Sequence, residues 1–351
     1  MTTDASTVSP SESGTGAPAP TRTKPATRAD VAKRAGVSTA LVSYVLTGAK
    51  PVAPASRERV LAAIAELEYR PNLTARALKT GRTNTIAVLI PSLQSAFYAE
   101  FASEFEAEAA ARGCTLTLAN SHEAGVDEST FVASFFDRGV DGVIIANPRQ
   151  QAHELDPQLR SRPVLWIDTY DPSATARSMG TDSHRAAREL VEHLITVHGH
   201  DQVAMVLGRS DRSSLDPRVD GWREAHAAHG KKPGRLEVTS WDMRGGHEGM
   251  RALLERGTPP TAVFAANDEI AIGVLRGAAD AGLSVPTDLA LVGFDGIAAS
   301  RYMAPSITTY RQPLREMARA AIGYVVDGHV SPGHQEFAGE FQLGESCGCG
   351  R

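Results

Sequence analysis

Cysteine is scarce in this chain: three thiols, Cys114, Cys347 and Cys349, occur in 351 residues. Three is too few for a disulfide framework. No run of about 18 apolar residues occurs, which excludes a membrane-spanning helix. The first 26 residues are rich in Ser, Thr, Pro, Ala and Gly and contain no apolar core of a secretory signal. With almost nothing to bury, that stretch is expected to be a disordered tail. The expectation that follows is a cytoplasmic protein. Catalytic signatures are missing as well. There is no G-x-G-x-x-G, no G-x-x-x-x-G-K-[ST], no G-x-S-x-G and no H-E-x-x-H. Cys347 and Cys349 have no evident partner ligands, so they read as inert tail cysteines. No metal, cofactor or enzymatic activity is expected.

What is present is enough to fold: 42% of the residues are hydrophobic, and the length suggests two or three structural units. Charge is unevenly placed. Residues 22–82 hold twelve Lys and Arg against four Asp and Glu, a local excess of +8. The first 21 residues carry −2, so a chain total of −5 leaves −11 on residues 83–351. A small basic module on a large acidic body suits a chain that binds phosphates at one end.

The basic module contains "ADVAKRAGVSTALVSYVLTGAKP", Ala29–Pro51. Val31, Ala32 and Ala35 give a short helix one small apolar face. Gly36 ends it, because a left-handed turn is cheapest at glycine. Ser38 is placed to cap a second helix that carries Val42, Val45 and Leu46 on one side. Two short helices across a tight turn are a helix-turn-helix. A third helix near residues 55–67 supplies Val60, Leu61, Ile64 and Leu67. Thr39, Ala40, Ser43 and Tyr44 remain outward on the second helix, where hydroxyls and methyls can meet base edges. Tyr44 is open to two readings, packing or readout. Downstream, "YRPNLTARALKTGRTNT" sets Leu78 between Arg76 and Lys79, an apolar wedge flanked by phosphate-binding cations. A linker helix with a buried leucine is the alternative.

From Thr85 the pattern alternates between apolar strands and amphipathic helices, which predicts parallel sheets covered on both faces. Two sheets of about 120 residues each fit better than one. Ligands in such folds bind beyond the C-terminal ends of strands. Those ends read Pro91–Gln94, Asn120, Asn147, Asp168, Arg209, Trp241, Asn267 with Asp268, and Asp295. Carboxylates and amides can share sugar hydroxyls while an indole stacks on the apolar face of the ring. Asp268 reads as the N-cap of the helix after "AAN".

The stretches "DVAKRAGVSTALVSYVLTG", "RERVLAAIAELEYRPNLTARALKTGRTNTIAVLIP", "TAVFAANDEIAIGVLRGAADAGLSVPTDLALVGFDG" and "SITTYRQP" together resemble the LacI/GalR family of bacterial transcription regulators from about residue 27 to 345. That resemblance implies an α/β fold with an N-terminal helix-turn-helix headpiece (27–70) and a hinge helix (71–82). It also implies an effector-binding and dimerisation domain (83–345) made of two doubly wound, periplasmic-binding-protein-like subdomains. These would be 83–182 with 313–345, and 183–312, leaving 346–351 as a tail. The implied function is sequence-specific repression controlled by a small effector, with a homodimer on a near-palindromic double-stranded operator. The implied DNA-binding residues are Thr39, Ala40, Ser43, Tyr44, Asn72, Ala75, Arg76, Leu78 and Lys79. The implied effector-binding residues are Phe97, Asn147, Asp168, Ser214, Arg218, Trp241, Asn267, Asp295 and Gln312, a set more like the sugar binders than the nucleobase binders. Tyr44 stands where an arginine is usual, and "PSLQSAFYAE" replaces the commoner "PDxxNPF". No leucine heptad closes the chain, so a dimer is expected rather than a tetramer. A transporter's solute-binding protein and an enzyme on a doubly wound sheet are the competing classes. The basic headpiece speaks against the first and the missing catalytic motifs against the second.

Overall fold

A computed structural model describes residues 26–71, 77–78, 80–121, 127–147, 162–168, 177–209, 216–256, 258–328 and 333–350. The expected N-terminal tail lies outside them. The chain divides into two compact units, Met1–Arg76 and Ala77–Arg351.

The first unit is a three-helix module. Helix α1 (Arg28–Ala35) opens on a capping box between Thr27 and Asp30, and α2 (Thr39–Thr47) on a bond from Leu41 N–H to the Ser38 hydroxyl. These caps satisfy amide groups that a helix start leaves orphaned. Gly36 ends α1 at φ 66°, and α3 (Pro54–Glu66) begins on a proline whose missing N–H costs nothing there. Val31, Val42 and Val60 are fully buried at the centre, joined by Ala32, Ala35, Val45, Ala63 and Tyr69. Leu61, expected in this core, is 48% exposed. The inward stripe of α3 runs 60, 63, 64, 67, and position 61 falls off the edge of that stripe, about 100° around the helix from Val60.

In the second unit a six-stranded sheet is built from β1 (Thr85–Ile90), β2 (Thr115–Asn120), β3 (Gly142–Ala146), β4 (Val164–Ile167), β5 (Ser178–Thr181) and β11 (His334–Phe337). Its order is β11-β5-β4-β3-β1-β2, and every pairing is parallel. Helices α4 (Ala96–Ala111) and α10 (Leu314–Asp327) cover one face, where Phe101 and Phe105 stack with ring centroids 3.9 Å apart. Helix α5 (Glu128–Asp137) covers the other.

A second parallel sheet, β7-β6-β8-β9, uses β6 (Ala204–Gly208), β7 (Leu236–Thr239), β8 (Ala262–Ala265) and β9 (Ala290–Val292). Around it pack α6 (Ser183–Thr196), α7 (Pro217–Ala228), α8 (Met243–Glu255) and α9 (Asp268–Asp280). A two-stranded antiparallel ladder joins β10 (Thr309–Arg311) to β12 (Glu340–Gln342).

The chain passes between the two sheets after β5, after β10 and after β11. This corrects two expected boundaries. Residues 340–349 return to the second subdomain instead of staying with 313–339, and 346–349 is no free tail. Ser346 is fully buried, its amide and carbonyl bonded to Ser306 and Leu291. The physical reason is that Thr308 needs a partner on its open side, and Ser346 supplies it through its hydroxyl at 2.9 Å. Among the described residues no helix is long and apolar enough to cross a membrane.

Candidate functional site

Two surfaces concern function, one in each unit. In the first, Thr39 and Ala40 are exposed at the N-terminal turn of α2, and Ser43 and Tyr44 are half-buried one turn further on. The Tyr44 ring stays out of the module's core and lies under Lys50, whose Nζ is 5.2 Å from the ring centroid. Arg34 pairs with Glu66 at 2.6 Å and ties α1 to α3. Such an exposed pair contributes at most about 1 kcal/mol. In the second unit Leu78 is 91% exposed, in a segment where residues 77, 78 and 80 are helical. Asn72, Ala75, Arg76 and Lys79 lie outside the described residues.

The second surface is a cavity of about 730 Å³ in the Ala77–Arg351 unit. Strand ends from both sheets line it, together with the N-terminal turns of α4, α7, α8 and α9. Phe97, Asn147, Asp168, Arg218, Trp241, Asn267, Asp295 and Gln312 all face it, while Ser214 lies outside the described residues. Of the other strand-end residues, Pro91, Ser92 and Gln94 line it, while Leu93, Asn120, Arg209 and Asp268 are absent from the described lining.

Arg218 is the fixed cation of the cavity. Its guanidinium forks onto Asp216 at 2.9 and 2.8 Å and donates to the Ala266 carbonyl at 2.9 Å. Asp216 is fully buried and also caps α7, so the pair is held by backbone and side chain at once. Sequence reasoning missed Asp216. The Asp-Pro-Arg start of α7 was its signal, since Asp before an N1 proline is a helix cap. The guanidinium lies 4.8 Å from the Trp241 ring and 5.3 Å from Phe294, a cation flanked by two π faces. Trp241 reaches this place because position 208 is glycine: a Cβ there would collide with the indole.

Three carboxyls crowd the strand ends. Burial pushes Asp168 up to about 6, against the lowering pull of Arg218. Burial pushes Asp295 well above the ordinary carboxylate range, and the neighbouring charge of Asp268 adds to the rise. Asp268 itself is raised to about 7 by burial. Its oxygens are taken by the Ile297 amide at 2.9 Å and the Thr309 hydroxyl at 2.7 Å. It therefore buttresses the wall from behind and is not the helix cap. Asn267 caps α9 instead, accepting from the Ile270 amide at 2.7 Å while its side-chain N–H donates to the Trp241 carbonyl at 3.2 Å. Asn147, Asp168 and Asp295 hold φ of 46°, 53° and 112°, left-handed values that cost order 1–3 kcal/mol and concentrate at functional sites.

Two further residues connect the subdomains: Gln312, expected from the sequence, and Glu269, missed there. Gln312 accepts from the Thr181 hydroxyl on the first sheet at 2.7 Å and donates to Asp295 on the second at 2.8 Å. Glu269, at the start of α9, accepts from the Ser95 hydroxyl at 2.8 Å and the Ala96 amide at 3.2 Å. Ser95 makes no cap bond of its own, so Glu269 caps α4 from the other subdomain. Thr181 sits in the weakly apolar strand "SMGT". Glu269 reads in sequence only as a first-turn acid that complements a helix dipole.

A family model described as "Bacterial regulatory proteins, lacI family" matches residues 27–72, and one described as "Periplasmic binding protein-like domain" matches 191–346. The chain is 32% identical over 315 residues to the ribose operon repressor of Escherichia coli (strain K12), covering 89% of this chain and 95% of that protein. It belongs to the lacI family. Membership makes it a DNA-binding repressor controlled by an effector, and not an enzyme. Its fold is similar to the lac repressor dimer bound to operator and the anti-inducer ONPF. That match has TM-score 0.81 and 28% identity, and covers 92% of this chain and 99% of that one. It is also similar to the transcriptional regulator CelR in complex with cellobiose, with TM-score 0.66, 28% identity and coverage of 92% and 99%.

Proposed function

We propose that this lacI-family repressor is a cytoplasmic homodimer. Its paired headpieces bind a near-palindromic operator, and its cavity takes a sugar or sugar derivative. The observation that carries the effector class is the Arg218–Asp216 fork under the Trp241 ring, facing Asp168, Asp295 and Asn147. A sugar offers an apolar C–H face to an indole and a rim of hydroxyls that both donate and accept. The cavity answers each demand. Arg218 donates, Asp168 accepts when ionised, and Asp295, whose burial favours the protonated form, offers an acceptor and, when protonated, a donor. A nucleobase would need a flat slot with a fixed donor-acceptor edge, and the one indole here is already backed by a guanidinium. The lac repressor bound to operator as a dimer and the cellobiose-bound CelR support the same reading.

On the DNA side, Thr39, Ala40, Ser43 and Tyr44 are assigned to base edges in the major groove. Tyr44 offers one hydroxyl where an arginine would have given two bonds to guanine. Leu78 is assigned to a minor-groove wedge, with Asn72, Ala75, Arg76 and Lys79 around it. The effector acts through the joint: a ligand that bonds Asp168 on one subdomain and Asp295 on the other biases closure across Gln312 and Glu269. Calorimetric titration of the full chain with pentoses, hexoses, disaccharides and purines tests this. Saturable binding of one carbohydrate, lost in Arg218→Met, is the expected result. Binding of a purine alone would overturn the sugar assignment.

A further inference from the structure

His193, His198, Cys347 and Cys349 bring four ligand atoms within 4.8 Å of one another, on the second subdomain and apart from the effector cavity. His193 lies in the last turn of α6 and His198 just past its end. The cysteines follow β12, in the segment pinned by the bonds of Ser346 to Leu291 and Ser306. Gly348 between them has φ 104°, a conformation that turns two thiols separated by one residue toward the same side.

We propose that these four residues form a structural zinc site. His193 Nε2 is 3.2 Å from His198 Nε2, and Cys349 Sγ is 3.5 Å and 3.4 Å from the same two nitrogens. Each Nε2 has one in-plane site, a lone pair or a hydrogen. Two such nitrogens and a thiol in mutual contact cannot satisfy all three contacts as hydrogen bonds. They converge instead on a common point. A tetrahedral zinc with ordinary Zn–N and Zn–S bonds would place its nitrogens about 3.3 Å apart and each nitrogen about 3.6 Å from each sulfur. The observed separations fall close to these values. Thr308 donates its hydroxyl to Cys347 Sγ at 3.1 Å, the kind of outer bond that steadies a thiolate ligand.

Two thiolates and two imidazoles are the donor set of tetrahedral zinc, and four protein ligands leave no open position for catalysis. Binding releases the two thiol protons to solvent and leaves a neutral centre, with no change of oxidation state. The ion would clasp residues 347–349 to the end of α6 and so lock the last passage of the chain into the second subdomain. The sequence signals were a His-x₄-His across a helix end and a Cys-x-Cys more than 140 residues later. This proposal stands against the inert reading of Cys347 and Cys349, and the metal titration decides between them.

The test uses full-length protein without a histidine tag, stripped with a chelator and then titrated with Zn²⁺ or Co²⁺. The expected result is about one equivalent of zinc per chain, a higher Tm with zinc, and the intense visible bands and near-ultraviolet thiolate absorption of tetrahedral cobalt. Cys349→Ser and His198→Ala, both at half-buried positions, should lose at least about nine-tenths of the bound metal, and Cys114→Ser should keep it. Wild-type protein that binds no stoichiometric zinc, or gives only the weak spectrum of octahedral cobalt, would overturn the site whatever the variants do. So would equal metal content in Cys349→Ser and wild type.

Discussion

Trp241 and Asp168 both line the cavity, and the proposed sugar site assigns contact to the first and charge to the second. Trp241→Ala removes the stacking face and should weaken sugar binding about 10- to 100-fold, the equivalent of about 1.4–3 kcal/mol. Operator affinity without effector should not change, and titrating both ligands separates the two. Asp168 brings a pH dependence whose sign is fixed. Its carboxyl ordinarily titrates at 3.8 and here at about 6, so the free fold holds a proton between those values. Stability from that proton is present at acid pH and is lost as pH rises through 6. A sugar hydroxyl donating to Asp168 favours the carboxylate, so affinity should fall as pH drops from about 7.5 to about 5.5. Asp168→Asn should flatten that profile and gain Tm over the parent as pH rises past 6; an unchanged profile would remove Asp168 from the ligand contact. At this scale much of the cavity wall was legible, because Asp168, Trp241 and Asp295 end apolar runs. Asp216 was missed although its signal, Asp-Pro-Arg, is local; Glu269 and Thr181 were not legible, since their roles depend on partners 174 and 131 residues away in the chain.

Among the elements, α4 and α9 are joined across the subdomains by Glu269, which accepts from Ser95 and Ala96, and we propose that this contact acts as a latch. Glu269→Ala leaves the start of α4 without the carboxylate that caps it. The expected effect is about a tenfold loss of effector affinity, expressed mainly as faster dissociation, because closure loses its tie. Stopped-flow release of the sugar measures it, and an unchanged off-rate would exclude the latch. The segment that carries Leu78 gives a second test. Leu78→Ala should weaken operator binding at least about tenfold while sugar affinity stays the same; equal operator affinity would remove the wedge. The long apolar strands, β1, β3, β6 and β8, were readable from their runs of Val, Ile, Leu and Ala. Strands β5 ("SMGT"), β11 ("HQEF") and β12 were not. They are short, lie at an edge or crossing, and take their strand form from their partners, parallel for β5 and β11 and antiparallel for β12, and not from their own side chains.

The molecule as a whole joins a basic reader of +8 to an acidic body of −11. That split keeps phosphate binding at one end and predicts operator affinity that falls steeply with salt, while sugar affinity does not. Charge, motif order and alternation were all visible in the sequence because each is a property of composition or period. The return of residues 340–349 to the second subdomain was hidden, because it rests on Ser346 filling bonds that Thr308 and Leu291 leave open. Occupancy of the cavity by a sugar is expected to change the occupancy of one DNA site. The direct measurement is selection of bound fragments from a genomic library at physiological salt, with and without each member of a sugar panel. The expected result is one enriched two-fold symmetric site whose recovery changes with one sugar in the wild type and with none in Trp241→Ala. Salt-sensitive binding with no shared site, or a shared site indifferent to every sugar, would contradict it.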